Sequence, residues 1–221
     1  MLSELVSRAI VNRCAEREVE YRYVFRNIIH LLSLPRHIRR EVKILDVGCC
    51  ESNLSRVLAE LGFDVYGIDI RYCDIAPARL VQNNVLTVDF DSEMFNIVIA
   101  VSTVEHVGLD CYGQNIIDHD GDVKTMDRIW RWLCSNGIAI VTVPFGKPHH
   151  PEWFERVYNF ENISRIVGKF KVLNMEVYCC EDGVGGNIWN LCYVNDVFVK
   201  SREHILNSDC VCCLTLCKCV E

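Results

Sequence analysis

The sequence has 221 residues, half of them hydrophobic, and its formal net charge is −7. This length suits one domain with a sizeable core, and the acidic balance argues against a broad nucleic-acid interface. No apolar run is long enough to span a membrane, and Met1 to Arg13 lack a signal-peptide core. The sequence therefore predicts a cytoplasmic protein.

The predicted elements alternate between strands and helices. Apolar spacing over Tyr21–Leu34 predicts a helix that ends at Pro35. Strands are predicted at 44–47, 65–68, 85–88, 95–101, 138–143, 172–180 and 190–199. Helices are predicted from Ser52 or Asn53 to 61, at 76–82, at 123–134, and from Asn159 or Asn162 to 167. This order is typical of an α/β fold: a doubly wound, Rossmann-like sheet of seven strands, mostly parallel, with helices on both faces. A glycine-rich turn at 183–186 predicts an antiparallel hairpin at the sheet edge.

The 14 cysteines do not indicate a small secreted scaffold, because a chain of this size can build a core without disulfides. We interpret Cys14, Cys73, Cys134 and Cys192 as small buried hydrophobic side chains. Intracellular disulfides fit only a hyperthermophilic source. Segment 210–219 holds five cysteines without the two C-x-x-C pairs of a zinc ribbon, so disulfides, metal binding and a packed apolar end all stay open.

Two acids mark a candidate cofactor site. Asp46 and Gly48 close the first apolar run, and Asp69 closes the second, 21 residues after Gly48. That spacing is one strand–turn–helix–strand unit with a ribose-binding acid at its far end. Glycine lets the backbone approach a ligand closely, and the acid accepts hydrogen bonds from two sugar hydroxyls. The pattern predicts a site for a nucleoside cofactor.

The same segments resemble a known family. Residues 44–49 (ILDVGC) and 65–69 (VYGID) resemble the first two motifs of class I S-adenosylmethionine (SAM)-dependent methyltransferases. Residues 95–100 (FNIVIA) resemble the family's fourth strand, and 132–139 (WLCSNGIA) its turn into the fifth, in the same order over roughly 40–145.

More narrowly, segments 102–109, 112–113, 143–146 and 156–158 are similar to a subgroup of small prokaryotic methyltransferases. The chain departs from the family pattern at Cys50 and Ser52, where two loop glycines are usual, and at Asn96, where Asp is usual.

The resemblance implies SAM as the cofactor and assigns residues to it. The implied cofactor-binding residues are Asp46, Gly48, Cys49, Cys50, Asp69, Ile70, Asp89, Phe90 and Ser102. Asp46 and Gly48 would lie under the methionyl part and Asp69 would bind the ribose. Asp89 would meet the adenine amino group, and Phe90 would cover the ring.

Ser102, Glu105 and His106 follow the fourth strand, which places them beside the reactive methyl group. His106 and Glu105 are the predicted catalytic residues, with His106 as a general base because its pKa lies near neutrality. Some relatives carry E-x-x-E-H here and bind a divalent ion; Glu105 and His106 with His149 or His150 could do so. We assign no metal, because Ser102 stands where the first Glu would be.

Two polar loops, 108–122 and 144–158, are candidates for a substrate lid. Tyr112, His149, Arg156 and Tyr158 are the predicted substrate contacts. Arg156 and Tyr158 either hold an anionic group of the acceptor or lock the loop.

The resemblance implies methyl transfer to a small-molecule or glycan-like acceptor by in-line displacement. Two alternatives remain: a non-catalytic SAM-fold binding module, and a nicotinamide-dependent oxidoreductase, which needs G-x-G-x-x-G where only Gly48 is present. The predicted organisation is a helical segment at 1–38, a SAM-binding methyltransferase domain at 39–200 and a Cys-rich tail at 201–221.

Overall fold

A computed structural model describes residues 1–10, 15–113, 117–148, 154–183 and 186–219. The helices are α1 Leu2–Ala9, α2 Ala15–Ile28, α3 Arg36–Arg39, α4 Leu54–Glu60, α5 Gly121–Trp132, α6 Ser164–Val167 and α7 Arg202–Asn207. The strands are β1 Lys43–Val47, β2 Asp64–Asp69, β3 Arg79–Gln82, β4 Phe95–Val101, β5 Leu133–Phe145, β6 Lys171–Gly183, β7 Gly186–Val194, β8 Val197–Phe198 and β9 Cys210–Cys217. Single 3₁₀ turns precede α4 at Cys49–Glu51 and follow β4 at Val104–His106. None of the described helices has the length and hydropathy needed to cross a lipid bilayer.

Within the described residues, nine strands form one sheet in the order β3-β2-β1-β4-β5-β9-β6-β7-β8. The five strands from β3 to β5 pair in parallel, and β9, β6, β7 and β8 add an antiparallel half. The α/β architecture and the antiparallel pairing of β6 with β7 are confirmed, but the edge strand on this side of the sheet is β8, which pairs with β7. The predicted count of seven strands is wrong, because a turn at Asn195 and Asp196 divides the last predicted strand, 190–199, into β7 and β8, and β9 lies beyond it.

The parallel strands are apolar on both faces because helices cover both. Side chains of β1 alternate between two hydrophobic clusters: Leu45 and Val47 face α5, whereas Ile44 faces α2 and α4. In β4, Val98 and Ala100 join the first cluster and Ile97 and Ile99 the second. A strand buried on both faces reads as a continuous apolar run, which is why these strands were predictable.

The region after β2 differs from the prediction of a helix at 76–82 and a strand at 85–88. Arg79–Gln82 is the strand, paired in parallel with β2. The Asn84 side-chain oxygen accepts a hydrogen bond from the Leu86 amide at 2.8 Å, and the Asn84 carbonyl accepts one from Val88. These bonds fold residues 84–88 into a turn, as Asn side chains commonly do.

The Cys-rich segment predicted as a tail lies inside the sheet. Strand β9 pairs antiparallel with both β5 and β6, and all of its residues are buried. A disulfide joins Cys179 and Cys210, which are register partners on β6 and β9. Segment 210–217 is therefore core, and its cysteines mainly supply small apolar volume.

Candidate functional site

A cavity lies at the carboxyl ends of β1, β2 and β4. Asp46, Asp69 and Ser102 line it, one from the end of each strand or the residue after it. Strand β1 is flanked by β2 on one side and β4 on the other, so successive strands are added on one side of β1 and then on the other. This is the topological switch point at which doubly wound sheets bind ligands.

In the turn after β1, Gly48 exposes its backbone to the cavity. Gly48 has φ +79°, a conformation that favours glycine, and its amide donates to the Ile68 carbonyl at 2.8 Å. A Cβ at this position would overlap the Thr103 side chain, whose hydroxyl bonds to the Val47 and Val101 carbonyls. A larger residue at position 48 would therefore displace the loop that follows β4.

Asp46 is a buried carboxyl at the cavity floor. Its side chain accepts a hydrogen bond of 2.7 Å from the Ser55 hydroxyl, and the residue is 3% exposed. Burial raises the pKa of Asp46 to about 6, and the neighbouring Asp69 carboxylate adds to that rise. Near neutral pH the group is mostly ionised and without a cationic partner in the described structure.

Asp69 is the centre of a polar cluster at the cavity wall. One oxygen accepts from the Arg71 amide at 2.9 Å and the other from the Cys50 amide at 3.1 Å. The Arg71 guanidinium makes longer contacts to both oxygens, at 3.2 and 3.3 Å, and bonds to Glu51 at 2.8 Å. The two backbone amides fix the direction of the carboxylate, and Arg71 balances its charge.

His106 also lines the cavity. Its Nδ1 is 2.7 Å from the Phe154 carbonyl, which accepts from an Nδ1–H. Burial lowers the pKa of His106, so the ring is neutral at neutral pH and Nε2 carries the basic lone pair. The ring packs edge-on against Tyr112 and Phe154, with centroid distances of 5.2 and 4.8 Å.

Glu105 is fully buried beside His106. Its Oε1 is 3.8 Å from His106 Nε2, and neither carboxyl oxygen has a hydrogen-bond partner among the described residues. Burial raises the pKa of Glu105 well above its ordinary value, which favours the neutral acid. Its carboxyl does not reach the cavity wall, so any influence on chemistry passes through His106.

A family model described as a methyltransferase domain matches residues 16–175, well over half of the chain. The chain belongs to the SAM-dependent methyltransferases. Membership in this family favours SAM over a nicotinamide cofactor, and so argues against the predicted alternative of an oxidoreductase.

Curated relatives include ubiquinone biosynthesis O-methyltransferases. The chain is 29% identical to the protein from Pelagibacter ubique over 135 residues, covering 56% of this chain and 51% of the relative. It is 28% identical to that from Mesorhizobium japonicum over 154 residues, covering 57% and 61%. The chain thus spans about half the length of the curated relatives it matches.

Solved structures share the fold. A SAM-dependent methyltransferase from Methanosarcina mazei superposes with a TM-score of 0.57 at 15% identity, covering 88% of this chain and 98% of that one. The 1,6-didemethyltoxoflavin-N1-methyltransferase of Burkholderia thailandensis, solved with bound 1,6-didemethyltoxoflavin and S-adenosylhomocysteine, superposes with a TM-score of 0.53 at 14% identity, covering 96% of this chain and 94% of that one.

The N-terminal helix α2 supplies cavity residues of this methyltransferase that sequence reasoning missed. Arg17 and Tyr21 line the cavity. Between them in sequence, the buried Glu20 carboxylate accepts hydrogen bonds of 2.6 Å from the Ser102 and Thr142 hydroxyls. The sequence did contain a signal for this contact: Glu20 lies on the same helix face as the buried Val24. A charged residue on an apolar helix face indicates a polar partner in the core.

The structure brings seven of the predicted site residues to the cavity wall: Asp46, Gly48, Asp69, Ile70, Ser102, His106 and Tyr112. Ser102 has φ +41°, unusual for a residue with a side chain, and its hydroxyl turns toward Glu20. His149 lies outside the described residues.

Four predicted cofactor residues point elsewhere. The buried Cys49 side chain packs on Gly67, and Cys50 forms a disulfide with Cys73 while only its amide reaches Asp69. Asp89 is exposed, and Phe90 packs edge-to-face on core aromatic rings, because the turn at 84–88 shifts this segment. Asn83, Asn84 and Val85 line the cavity in their place.

Arg156 and Tyr158 lock the loops instead of facing the cavity. The Arg156 guanidinium donates to the carbonyls of Glu105, Val107, Asp118 and His119 at 2.8 to 3.2 Å. The buried Tyr158 hydroxyl donates to Asp122 at 2.9 Å. Of the two predicted roles, the loop-locking role matches these contacts, because the donors of Arg156 are already used.

We expect Arg156→Lys to lower the free energy of unfolding by about 2 kcal/mol, because a lysine ammonium cannot donate to all four carbonyls that the planar guanidinium reaches. Urea unfolding measures the change. Arg165→Lys, at an exposed ion pair with Asp120, is the matched control. Equal stability of the two variants would contradict the locking role.

Proposed function

We propose that this methyltransferase transfers the methyl group of SAM to a hydroxyl of a small acceptor, with His106 as the general base. The observation that carries the proposal is a neutral His106, basic at Nε2, in the same cavity as the Asp46 and Asp69 carboxylates. When bound, SAM supplies a methyl carbon activated by its sulfonium, which the acceptor oxygen takes by in-line displacement.

The cavity residues fit this cofactor. Asp69 sits at the tip of β2 with its carboxylate fixed by two backbone amides, so ribose hydroxyls can replace the longer Arg71 contacts of 3.2 and 3.3 Å. The side chain of Asp46 would hold the methionyl ammonium, and the bare Gly48 backbone leaves room between the two acids.

If Asp46 holds the ammonium group as a carboxylate, SAM affinity depends on pH. The pKa of Asp46 is raised to about 6, so the acid gains its proton, and loses its attraction for the cation, as pH falls below that value. We expect the affinity to fall about tenfold from pH 7 to pH 5 in the native enzyme. Isothermal titration calorimetry measures it.

Asp46→Asn is the decisive comparison for this pH dependence. It cannot titrate, so its affinity should be weaker at pH 7 and nearly constant between the two pH values. The same tenfold change in Asp46→Asn would assign the pH dependence to another group, such as His106.

The acceptor side of the cavity suits a flat molecule. Tyr112 and Phe154 are 39% and 40% exposed beside His106, and the Arg71 guanidinium lies 4.9 Å from the centre of the Tyr112 ring. A planar apolar molecule can pack against the exposed parts of both residues. His106 takes the proton of the acceptor hydroxyl at Nε2 while its Nδ1–H stays on the Phe154 carbonyl. The ubiquinone O-methyltransferases among the relatives support a hydroxyl as the methylated group.

The test is methyl transfer from SAM labelled in its methyl group to three acceptor sets: phenols and catechols, sugars as glycan-like acceptors, and small amines. We expect label in the aromatic hydroxyl set. Label only in sugars would replace the aromatic acceptor with a glycan-like one, and label only in amines would overturn a hydroxyl acceptor. SAM binding without transfer to any set would contradict the proposal for the tested classes.

A further inference from the structure

Three sulfur atoms lie close together near the turn after β1, where the Cys50 amide donates to the Asp69 carboxylate. The Sγ atoms of Cys49, Cys50 and Cys73 all lie within 4.8 Å of one another, and no other described group of three metal-ligating side chains is so compact. Cys49 and Cys50 follow Gly48, whereas Cys73 lies in the loop after β2. The structure records Cys50 and Cys73 joined as a disulfide, with Cys49 as a thiol beside them.

The spacing suits a thiophilic ion once that disulfide is reduced. Two thiolates on one tetrahedral zinc ion lie about 3.8 Å apart, because each Zn–S bond is about 2.3 Å. The Cys49 and Cys73 Sγ atoms are 4.0 Å apart, and the Arg71 carbonyl oxygen is 3.3 Å from Cys50 Sγ. Three thiolates with this carbonyl or a water would complete four ligands.

The three cysteines differ in burial. Cys49 is fully buried, whereas Cys50 and Cys73 are half-buried and give access from solution. Burial raises the pKa of the Cys49 thiol, and the Asp46 and Asp69 carboxylates add to this. A bound dication compensates for both effects, because it stabilises the thiolate directly.

We propose that Cys49, Cys50 and Cys73, when reduced, bind one thiophilic divalent cation such as Zn²⁺. Binding releases the thiol protons and changes no oxidation state. The ion would tether the turn after β1 to the loop after β2, and so hold the Cys50 amide that donates to Asp69. The site is separate from the methyl-transfer proposal, since none of its sulfur atoms lines the cavity.

The test titrates Zn²⁺ and Cd²⁺ into the full chain reduced with a phosphine. Two other thiol pairs exist under these conditions: Cys179 and Cys210, whose disulfide the phosphine also opens, and Cys217 and Cys219, whose Sγ atoms are 3.1 Å apart. All samples therefore carry Cys210→Ser and Cys219→Ser. We expect one ion per chain and a thiolate-to-cadmium charge-transfer band. Cys73→Ser should weaken binding at least tenfold, whereas Cys134→Ser, whose thiol donates to the Glu93 carbonyl, should not change it.

Thermal melts report whether each variant is folded, and Cys50→Ser is the second variant if Cys73→Ser is not. An unchanged band in the folded variant would overturn the proposal, as would the lack of any band in the reduced parent. A thiol count in which Cys50 and Cys73 stay joined under the phosphine would also overturn it, leaving a structural disulfide.

Discussion

Asp69→Ala is expected to lower SAM affinity by about 100-fold or more. Two charge-assisted hydrogen bonds to ribose hydroxyls contribute roughly 1.5 kcal/mol or more each, and each 1.4 kcal/mol is tenfold in affinity. The carboxylate also accepts hydrogen bonds from the Cys50 and Arg71 amides. Its removal therefore leaves the turn after β1 and the loop after β2 without this shared acceptor. Calorimetry with SAM and S-adenosylhomocysteine measures the loss.

Two controls separate ribose recognition from damage to the fold. Asp91→Ala removes an exposed aspartate that does not line the cavity and should leave the affinity within about twofold. Asp69→Asn keeps the size of the side chain and one acceptor oxygen, so its affinity should lie between those of the native protein and Asp69→Ala. Native affinity in a folded Asp69→Ala variant would remove Asp69 from the site.

His106→Asn is expected to reduce kcat by about 100-fold or more, the range typical of a lost general base. SAM affinity should change by only a few-fold, because His106 faces the acceptor side. Single-turnover transfer of labelled methyl, together with calorimetry, separates the two quantities. His37→Asn, at an exposed histidine on α3, is the matched control.

The pH profile distinguishes a base from a structural histidine. Burial lowers the pKa of His106, so kcat in the native enzyme should rise through an apparent pKa below 6.5 and stay level near neutrality. In His106→Asn this rise of kcat with pH should disappear, while a slow residual rate remains. If kcat and SAM affinity fell together and kcat still rose with pH, His106 would only support the loop after β4.

The cofactor end of the site could be predicted because its signals are local. Apolar runs that end in Asp46 and Asp69, with Gly48 between them, specify strand, turn and acid within one short segment. Parallel strands buried on both faces also carry a strong apolar pattern. The fold class and the family therefore followed from residues close together in the chain.

The features of the fold and the site that the sequence did not predict depend on contacts between residues distant in the chain. Glu20 bonds to Thr142 across 122 positions, and no local pattern specifies that pairing. Asp89 and Phe90 were misplaced because one Asn84 side chain converts an apolar run into a turn. The pairing of β9 with β5 and β6 also depends on tertiary packing, since an apolar segment rich in cysteine suits many neighbours.

The position of β9 affects how the molecule assembles during translation. All eight other strands leave the ribosome before β9, yet β5 and β6 can join only through it. Until then the nascent chain carries two open sheet edges, one on each half, and open edges invite pairing with other chains. The parallel half can form early, but the complete sheet waits for its most cysteine-rich strand.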